Sequence, residues 1–459
     1  MRPVLEVLAL REVRRPLLGA AIGRLTPGMV LLALILSARA ADLPYTSVGL
    51  LVAAHQLGVA AGSPFQGRLA DRLGHARVLV PDAVAYLTGT LLLAAGLGGG
   101  WPVPLLLGVA ALTGLANPPT TPCSRALLVR LVLPGRARAA AFAISGASAE
   151  LGFIAGPLTV VALAGAVGPR MALVTAGVTA AVGAVVYASS HAAGQPAPAA
   201  PDADGADGAA SRLLAVLRAP GLVPLAAAFL LTSVGFGAFD LYVAAFGEAR
   251  GTPGLAGPLI ALTATLSLVA GFAYAARVWD GPPLARQARL TAALASSLLL
   301  MPAAGDRVLL LALALVVVGA TVGPFNVAGF QLAGELAPEH ARTEAQAWTQ
   351  AAIYLGSALG GAVAGAMIDR VSPAAAMVVG AGSAVGALAV GARSAADART
   401  GTVLGVAASA GLQATLGTID LTWRTGAVAT LGSLTMAVVA AWAMAAASPE
   451  LTTRAPAVA

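Results

Sequence analysis

The sequence contains no lysine, and all 27 positive charges among its 459 residues are arginine. A phosphate-binding loop ending in Gly-Lys-Ser/Thr is therefore excluded. Cysteine occurs once, at Cys123, so no disulfide framework can form. Histidine occurs four times and never in the His-Glu-x-x-His zinc pattern. No His/Cys/Asp/Glu cluster has metal-ligand spacing, and no Ser/His/Asp arrangement stands out in connecting segments too short to build a catalytic domain. The expectation is a non-enzyme with no cofactor and no metal. Charged residues make up only 10% of the chain, against about 25% in soluble domains. That is too little polar material to coat a water-facing globule of this size.

What is present is hydrophobic. Apolar residues account for 58%, and the mean hydropathy is +0.85. A bilayer core needs roughly 20 apolar residues per helix. Such runs lie near 18–38, 47–67, 78–98, 103–125, 139–163 and 169–189, then near 221–246, 254–277, 289–304, 308–332, 343–368 and 373–392. The run at 289–304 is short, and two weaker ones lie near 402–419 and 425–447. The runs are continuous and rich in Leu, Ala and Gly, which fits helices and not the alternating strands of a barrel. The fold class expected is an all-α integral membrane protein with 12 core transmembrane helices in two six-helix halves and up to two extra C-terminal helices.

The organisation follows. Residues 1–17 form an N-terminal segment with Glu6 and Glu12 among its arginines, unlike a cleavable signal. Residues 18–190 are the first half, and 221–393 the second. Between them, 191–220 is a Pro-, Ala- and Asp-rich linker. Residues 394–459 are a C-terminal extension.

The arginines sort by span. With the N-terminus inside, 19 fall in inner segments and five in outer loops, namely Arg39, Arg170, Arg250, Arg307 and Arg370. This asymmetry obeys the positive-inside rule. It predicts a multi-pass protein of the cell's inner (plasma) membrane with a cytoplasmic N-terminus. Because the arginines are scattered in small groups and form no basic face, nucleic-acid binding is not expected. Arg24, just inside the first run, is expected to snorkel to the headgroups.

Between the second and third runs lies Gly67-Arg68-Leu69-Ala70-Asp71-Arg72-Leu73-Gly74-His75-Ala76-Arg77-Val78-Leu79. Gly67 and Gly74 permit a tight turn and close helix approach, and Asp71 can face a helix N-terminus. The segment resembles the cytoplasmic loop signature of the major facilitator superfamily (MFS), with His75 where another basic residue is commoner. The resemblance covers roughly 17–393 and implies an MFS transporter that alternates access by rocking its halves. It implies that Gly67, Asp71, Arg72, Gly74 and Arg77 form a gate loop, with Asp71 docking near Thr343 and Glu344. Gly152-Phe153-Ile154-Ala155-Gly156-Pro157 is similar to the family's antiporter motif, which is associated with exporters. Here Gly152, Gly156 and Pro157 match, while Leu158 and Thr159 replace the following glycine pair.

The fourth-span arginine usual in proton antiporters is absent from Gly108–Gly114, which instead runs into a kink at Asn117-Pro118-Pro119. The loop Arg277-Val278-Trp279-Asp280-Gly281-Pro282-Pro283 sits where the gate loop would repeat, and does not match it. Gly58/Gly62 and Gly356/Gly360 make small faces expected to pair across the halves. Thr343-Glu344-Ala345 with Trp348, and the stretch from Glu150 to Pro157, look similar to bacterial drug-efflux-like members.

Ionisable groups at mid-membrane are functional candidates, since each costs roughly 2.5–3.5 kcal/mol to insert. Glu150 in the fifth span and Asp240 in the seventh are the proton-coupling candidates; the alternative is an interhelical hydrogen bond. Asn117, Asn326, Gln56, Trp348, Gln350 and Tyr354 are substrate-cavity candidates or helix-packing groups. His55 reads as a hydrogen-bonded packing residue, and Asp82 and Glu335 as partners for nearby arginines. The expected function is proton-coupled export of an amphipathic small molecule by a monomer in the lipid bilayer. The alternatives are a metabolite importer or a non-transporting membrane sensor.

Overall fold

The computed structural model describes residues 11–131, 136–195, 221–277, 279, 281–337, 342–378, 380 and 382–383. Most of the linker and both candidate helices of the C-terminal extension lie outside the described residues. Every regular element among those described is helical. Hydrocarbon offers no water to backbone polar groups, so a spanning segment must bond to itself. Ten helices are long and apolar enough to cross a membrane. The ninth expected span, Pro283–Leu298, has 16 residues and falls short of that length. The twelfth begins at residue 373 and runs past the described residues.

The first half comprises α1 (Arg11–Gly23), α2 (Leu25–Arg39), α3 (Tyr45–Leu73), α4 (His75–Gly98), α5 (Val103–Leu115), α6 (Thr120–Leu131), α7 (Arg136–Ala166) and α8 (Pro169–Ala188). The second comprises α9 (Leu222–Glu248), α10 (Ala256–Ala275), α11 (Pro283–Leu298), α12 (Val308–Leu336) and α13 (Arg342–Arg370). Helices α1 and α2 make one span, broken at Arg24, and α5 and α6 make another. The second break is chemical: Pro118 and Pro119 carry no N–H, so the ladder stops after Ala116 N–H to Leu112 O (3.0 Å). It resumes with Cys123 N–H to Pro119 O (3.1 Å).

Within the first half, α2 packs on α7 and α8, α3 on α5, and α4 on α8. Within the second, α9 packs on α13, and α12 on α10 and α11. The halves meet mainly along α3 with α13 and α7 with α10. Glycine sets how closely they approach. Gly49 of α3 backs onto the Gly361 carbonyl, and Gly365 of α13 onto the Tyr45 carbonyl, so a Cβ at either would collide with backbone.

Gly58/Gly62 and Gly356/Gly360 do not make this contact, contrary to expectation. Gly58 and Gly62 pack inside the first half on Ala111 and Leu115, and Gly356 and Gly360 inside the second on Leu230 and Val234. A small-residue face is legible in sequence, but the helix it meets is not.

Candidate functional site

At the end of the bundle where α3 begins, four helices converge on two carboxylates. Arg39 ends α2 and Glu248 ends α9. The Arg39 Nε donates to Glu248 Oε2 at 3.0 Å, its Nη2 donates to Oε1, and its Nη1 donates to the Leu43 carbonyl. The Tyr45 hydroxyl donates to the same Glu248 Oε2 at 2.8 Å, and the Arg39 guanidinium lies 4.4 Å from the Tyr45 ring centroid. In the last turn of α13, Asp369 accepts Tyr45 N–H at 3.0 Å, Thr46 N–H at 2.6 Å and the Thr46 hydroxyl at 2.7 Å. Those backbone donors open α3 and have no partner within their own helix. Asp369 therefore caps α3 from the opposite half, where its charge also suits the positive helix end.

Farther along α3, Gln56 Nε2 donates to the Ser357 hydroxyl of α13 at 3.3 Å. Every hydrogen bond that crosses between the halves among the described residues lies between the Arg39 end and this point. Beside Gln56, His55 is buried against Tyr86, edge to face with centroids 6.1 Å apart. Neither His55 nitrogen nor the Tyr86 hydroxyl has a hydrogen-bond partner. His55 is thus a packing residue.

Asp240 lies on α9, three residues past Gly237, which abuts the Ser357 carbonyl. Glu150 lies on α7, two residues before Gly152, which contacts Arg24, and six before Gly156, which contacts Gly28. Both acids are half-buried, and among the described residues neither forms a hydrogen bond or ion pair. Pro157 sits on the other side of α7, where its carbonyl meets Gly257 of α10 across the halves.

The cavity candidates separate by face. Gln350 and Tyr354 are half-buried and share with Ser357 the stripe of α13 at intervals of four and three residues. Trp348 points elsewhere. It is exposed along with Leu355 and Leu359, on the side of the same helix away from Gln350. Asn117 sits in the α5–α6 break, with its N–H on Gly114 O at 3.0 Å, and Asn326 lies two residues after Pro324 in α12; both are half-buried.

The gate-loop residues close the opposite end of α3. Gly74 ends α3 at φ +91°, beyond easy reach of any residue with a Cβ, and backs onto Gly194. A Cβ on Gly67 would meet nothing within 4 Å, so Gly67 makes no close approach in this conformer. Arg72 and Arg77 are exposed, whereas His75 is buried, with Nδ1 2.9 Å from the Tyr187 hydroxyl. The side chains of Asp71, Thr343 and Glu344 lie outside the described residues. Asp82 and Glu335 form no ion pair among the described residues, and Asp82 Oδ2 is buried without a partner.

Arg24 does not snorkel. It is 3% exposed, and all five of its N–H donors are used. Nε donates to Thr121 Oγ1 (3.4 Å), Nη1 to Ser145 O (2.7 Å) and Ser148 Oγ (2.6 Å), and Nη2 to Ser124 Oγ (2.9 Å) and Ser145 Oγ (2.8 Å). The guanidinium ties the first span to the fourth and fifth without a carboxylate. Its ligands are a pair of hydroxyls on each of two other helices and one backbone carbonyl, groups too common to stand out in the sequence. The Asp369 cap does leave one. Gly365-x-x-x-Asp369-Arg370 repeats the spacing of Gly67-x-x-x-Asp71-Arg72, at the opposite end of the partner helix.

The sequence model of the Major Facilitator Superfamily matches residues 17–361. No curated protein sequence matches the chain. Among solved structures, the fold is similar to a variant of the nucleoside transporter NupG (TM-score 0.70, 14% identity), covering 84% of this chain and 100% of that one. It is also similar to the peptide transporter POT in complex with sulfate (TM-score 0.62, 17% identity, 86% and 95% covered). A third is the human organic anion transporter MFSD10 (TETRAN) (TM-score 0.60, 19% identity, 83% and 99% covered).

Proposed function

From the premise that this chain belongs to the major facilitator superfamily and is a secondary transporter, we propose that it exports an amphipathic small molecule in exchange for protons. The inner-loop excess of arginine supports a cytoplasmic N-terminus. In that orientation the Arg39–Glu248–Tyr45 and Asp369–Thr46 contacts close the outer face, and this conformer opens inward. The observation that carries the reading is that, among the described residues, the hydrogen bonds between the halves run from the Arg39 end to the middle of the bundle. Rocking the halves breaks them and brings together the opposite ends, where Asp71 stands at the same spacing from its glycine as Asp369 does.

Glu150 and Asp240, both without a partner among the described residues, are the protonation sites of this cycle. Moving one proton through 100 mV supplies about 2.3 kcal/mol. Gln56, Gln350, Tyr354, Asn117 and Asn326 line the path of a substrate with little charge; Trp348 faces the bilayer and is not among them. The match to the exporter motif at Gly152, Gly156 and Pro157 favours outward movement. Nucleoside and peptide transporters among the structural relatives make metabolite import the second reading.

Flux assays on reconstituted protein with a compound panel test the proposal. Gradient-driven extrusion that is lost in both Glu150→Gln and Asp240→Asn is expected. Gradient-driven inward accumulation would overturn the direction, and full activity in both variants would overturn the coupling.

A further inference from the structure

The loop joining α10 to α11 occupies the place where the gate loop would repeat, and it carries different chemistry. Trp279 stacks on Tyr274 with ring centroids 4.8 Å apart and planes 23° apart, and its Nε1 donates to the Tyr274 carbonyl at 2.9 Å. The Arg277 guanidinium lies 5.1 Å from the Trp279 ring centroid. Arg286, in the first turn of α11, donates from Nη1 to the Trp279 carbonyl at 3.4 Å, and Arg289 follows one turn on. Two polar atoms at the base of this shelf, Tyr274 Oη and Arg286 Nε, have no hydrogen-bond partner. No carboxylate pairs with Arg277, Arg286 or Arg289 among the described residues. Three cations thus gather around one aromatic pair with no paired carboxylate among the described residues; Asp280 of the same loop lies outside them.

We propose that Arg277, Arg286, Arg289 and Trp279 form a binding site for the phosphodiester headgroup of an acidic phospholipid. Guanidinium forks match phosphate oxygens in pairs. Tryptophan and tyrosine settle at headgroup depth, with ring faces against the acyl boundary. The end of the span after α10 is where both requirements meet. The site does not depend on the direction or coupling of transport.

The test is thermal unfolding of purified protein in detergent, titrated with phosphatidylglycerol, with phosphatidylcholine, or with sodium phosphate. Phosphatidylglycerol is expected to stabilise the wild type, and the other two are not. Each basic residue near a charged headgroup contributes about fivefold in affinity, so replacing Arg277, Arg286 and Arg289 together with Gln raises the lipid concentration required about a hundredfold. Arg286→Gln alone raises it about fivefold and serves if the triple variant does not fold. A control removing Arg14, Arg15 and Arg68, also by Gln, takes the same charge from the same end and is expected to respond like the wild type.

Equal weakening in the control would show a general field of positive charge and overturn the proposal. So would undiminished stabilisation of the triple variant. Stabilisation by sodium phosphate as strong as by the lipid would overturn the assignment to a phospholipid.

Discussion

Replacing Glu248 by Gln keeps its size but removes the charge and one of the two acceptor oxygens on which the Arg39 end of the bundle closes. The wild-type carboxylate accepts two bonds from Arg39 and one from Tyr45. The Arg39 and Glu248 side chains are 25% and 41% exposed, so water screens the pair and its full Coulomb energy does not apply. A paired-fork surface ion pair contributes about 1 kcal/mol, and the tyrosine bond to a carboxylate about 1 kcal/mol more. Losing about 2 kcal/mol changes the ratio of closed to open conformers about 30-fold. If the open conformer is about 1% of the wild type, it becomes about a quarter of the variant.

Pulsed electron-spin distance measurement reads this directly. Nitroxide labels go on exposed Val167 and Ala303, one in each half, in a background where Cys123, the sole cysteine, is replaced by Ala. Glu248→Gln is expected to add a longer-distance population. Arg39→Gln, which leaves the Tyr45 bond to Glu248 in place, is expected to add a smaller one, and the double variant no more than Glu248→Gln alone, because Arg39 acts through the same carboxylate. Distance distributions unchanged in Glu248→Gln, or additive in the double variant, would refute the latch.

Three further outcomes follow. Asp369→Ala uncaps α3 without touching Arg39, and the same labels are expected to report opening comparable to that of Glu248→Gln; a wild-type distribution would contradict the cap. Gly49→Ala places a methyl against the Gly361 carbonyl between the halves, whereas Gly58→Ala places one against Ala111 inside a half. The first is expected to shift the distances with little change in unfolding temperature, the second to lower the unfolding temperature with little change in distances, and the reverse pattern would show that the halves are divided wrongly. Arg24→Gln loses most of five hydrogen bonds, each averaging about 0.6 kcal/mol between membrane helices. A destabilisation of about 2 kcal/mol is expected, read by thermal unfolding in detergent, and an unchanged midpoint would remove its bracing role.

The architecture was readable because its cause is local. Apolar runs must be helices in hydrocarbon, arginines mark the side on which a loop rests, and Pro118-Pro119 must interrupt a ladder. Packing partners are not local. Gly58 and Gly49 look alike along the chain, yet one closes a half on itself and the other joins the two halves. Trp348 was expected in the cavity beside Gln350, but two helical residues differ in direction by about 200°, and it faces out. Arg24 looked like a snorkelling residue because its hydroxyl ligands lie about a hundred residues away. Asp369 was legible in principle, through the Gly-x-x-x-Asp-Arg spacing it shares with Asp71, although it stands in the last turn of α13 and not in the recognised loop.

The central claim, that the two ends of the bundle close in turn, is tested most directly by measuring both ends in the same state. A second label pair at exposed Arg14 and Ala276 reports the end opposite Val167 and Ala303. In the wild type the first-described pair, Val167 and Ala303, is expected to be at its short distance while the Arg14 and Ala276 pair is at its long one. In the Glu248→Gln/Asp369→Ala variant the two populations should exchange together. Both pairs lengthening at once, or the Arg14 and Ala276 distance staying fixed while the other end opens, would contradict alternating access in this protein.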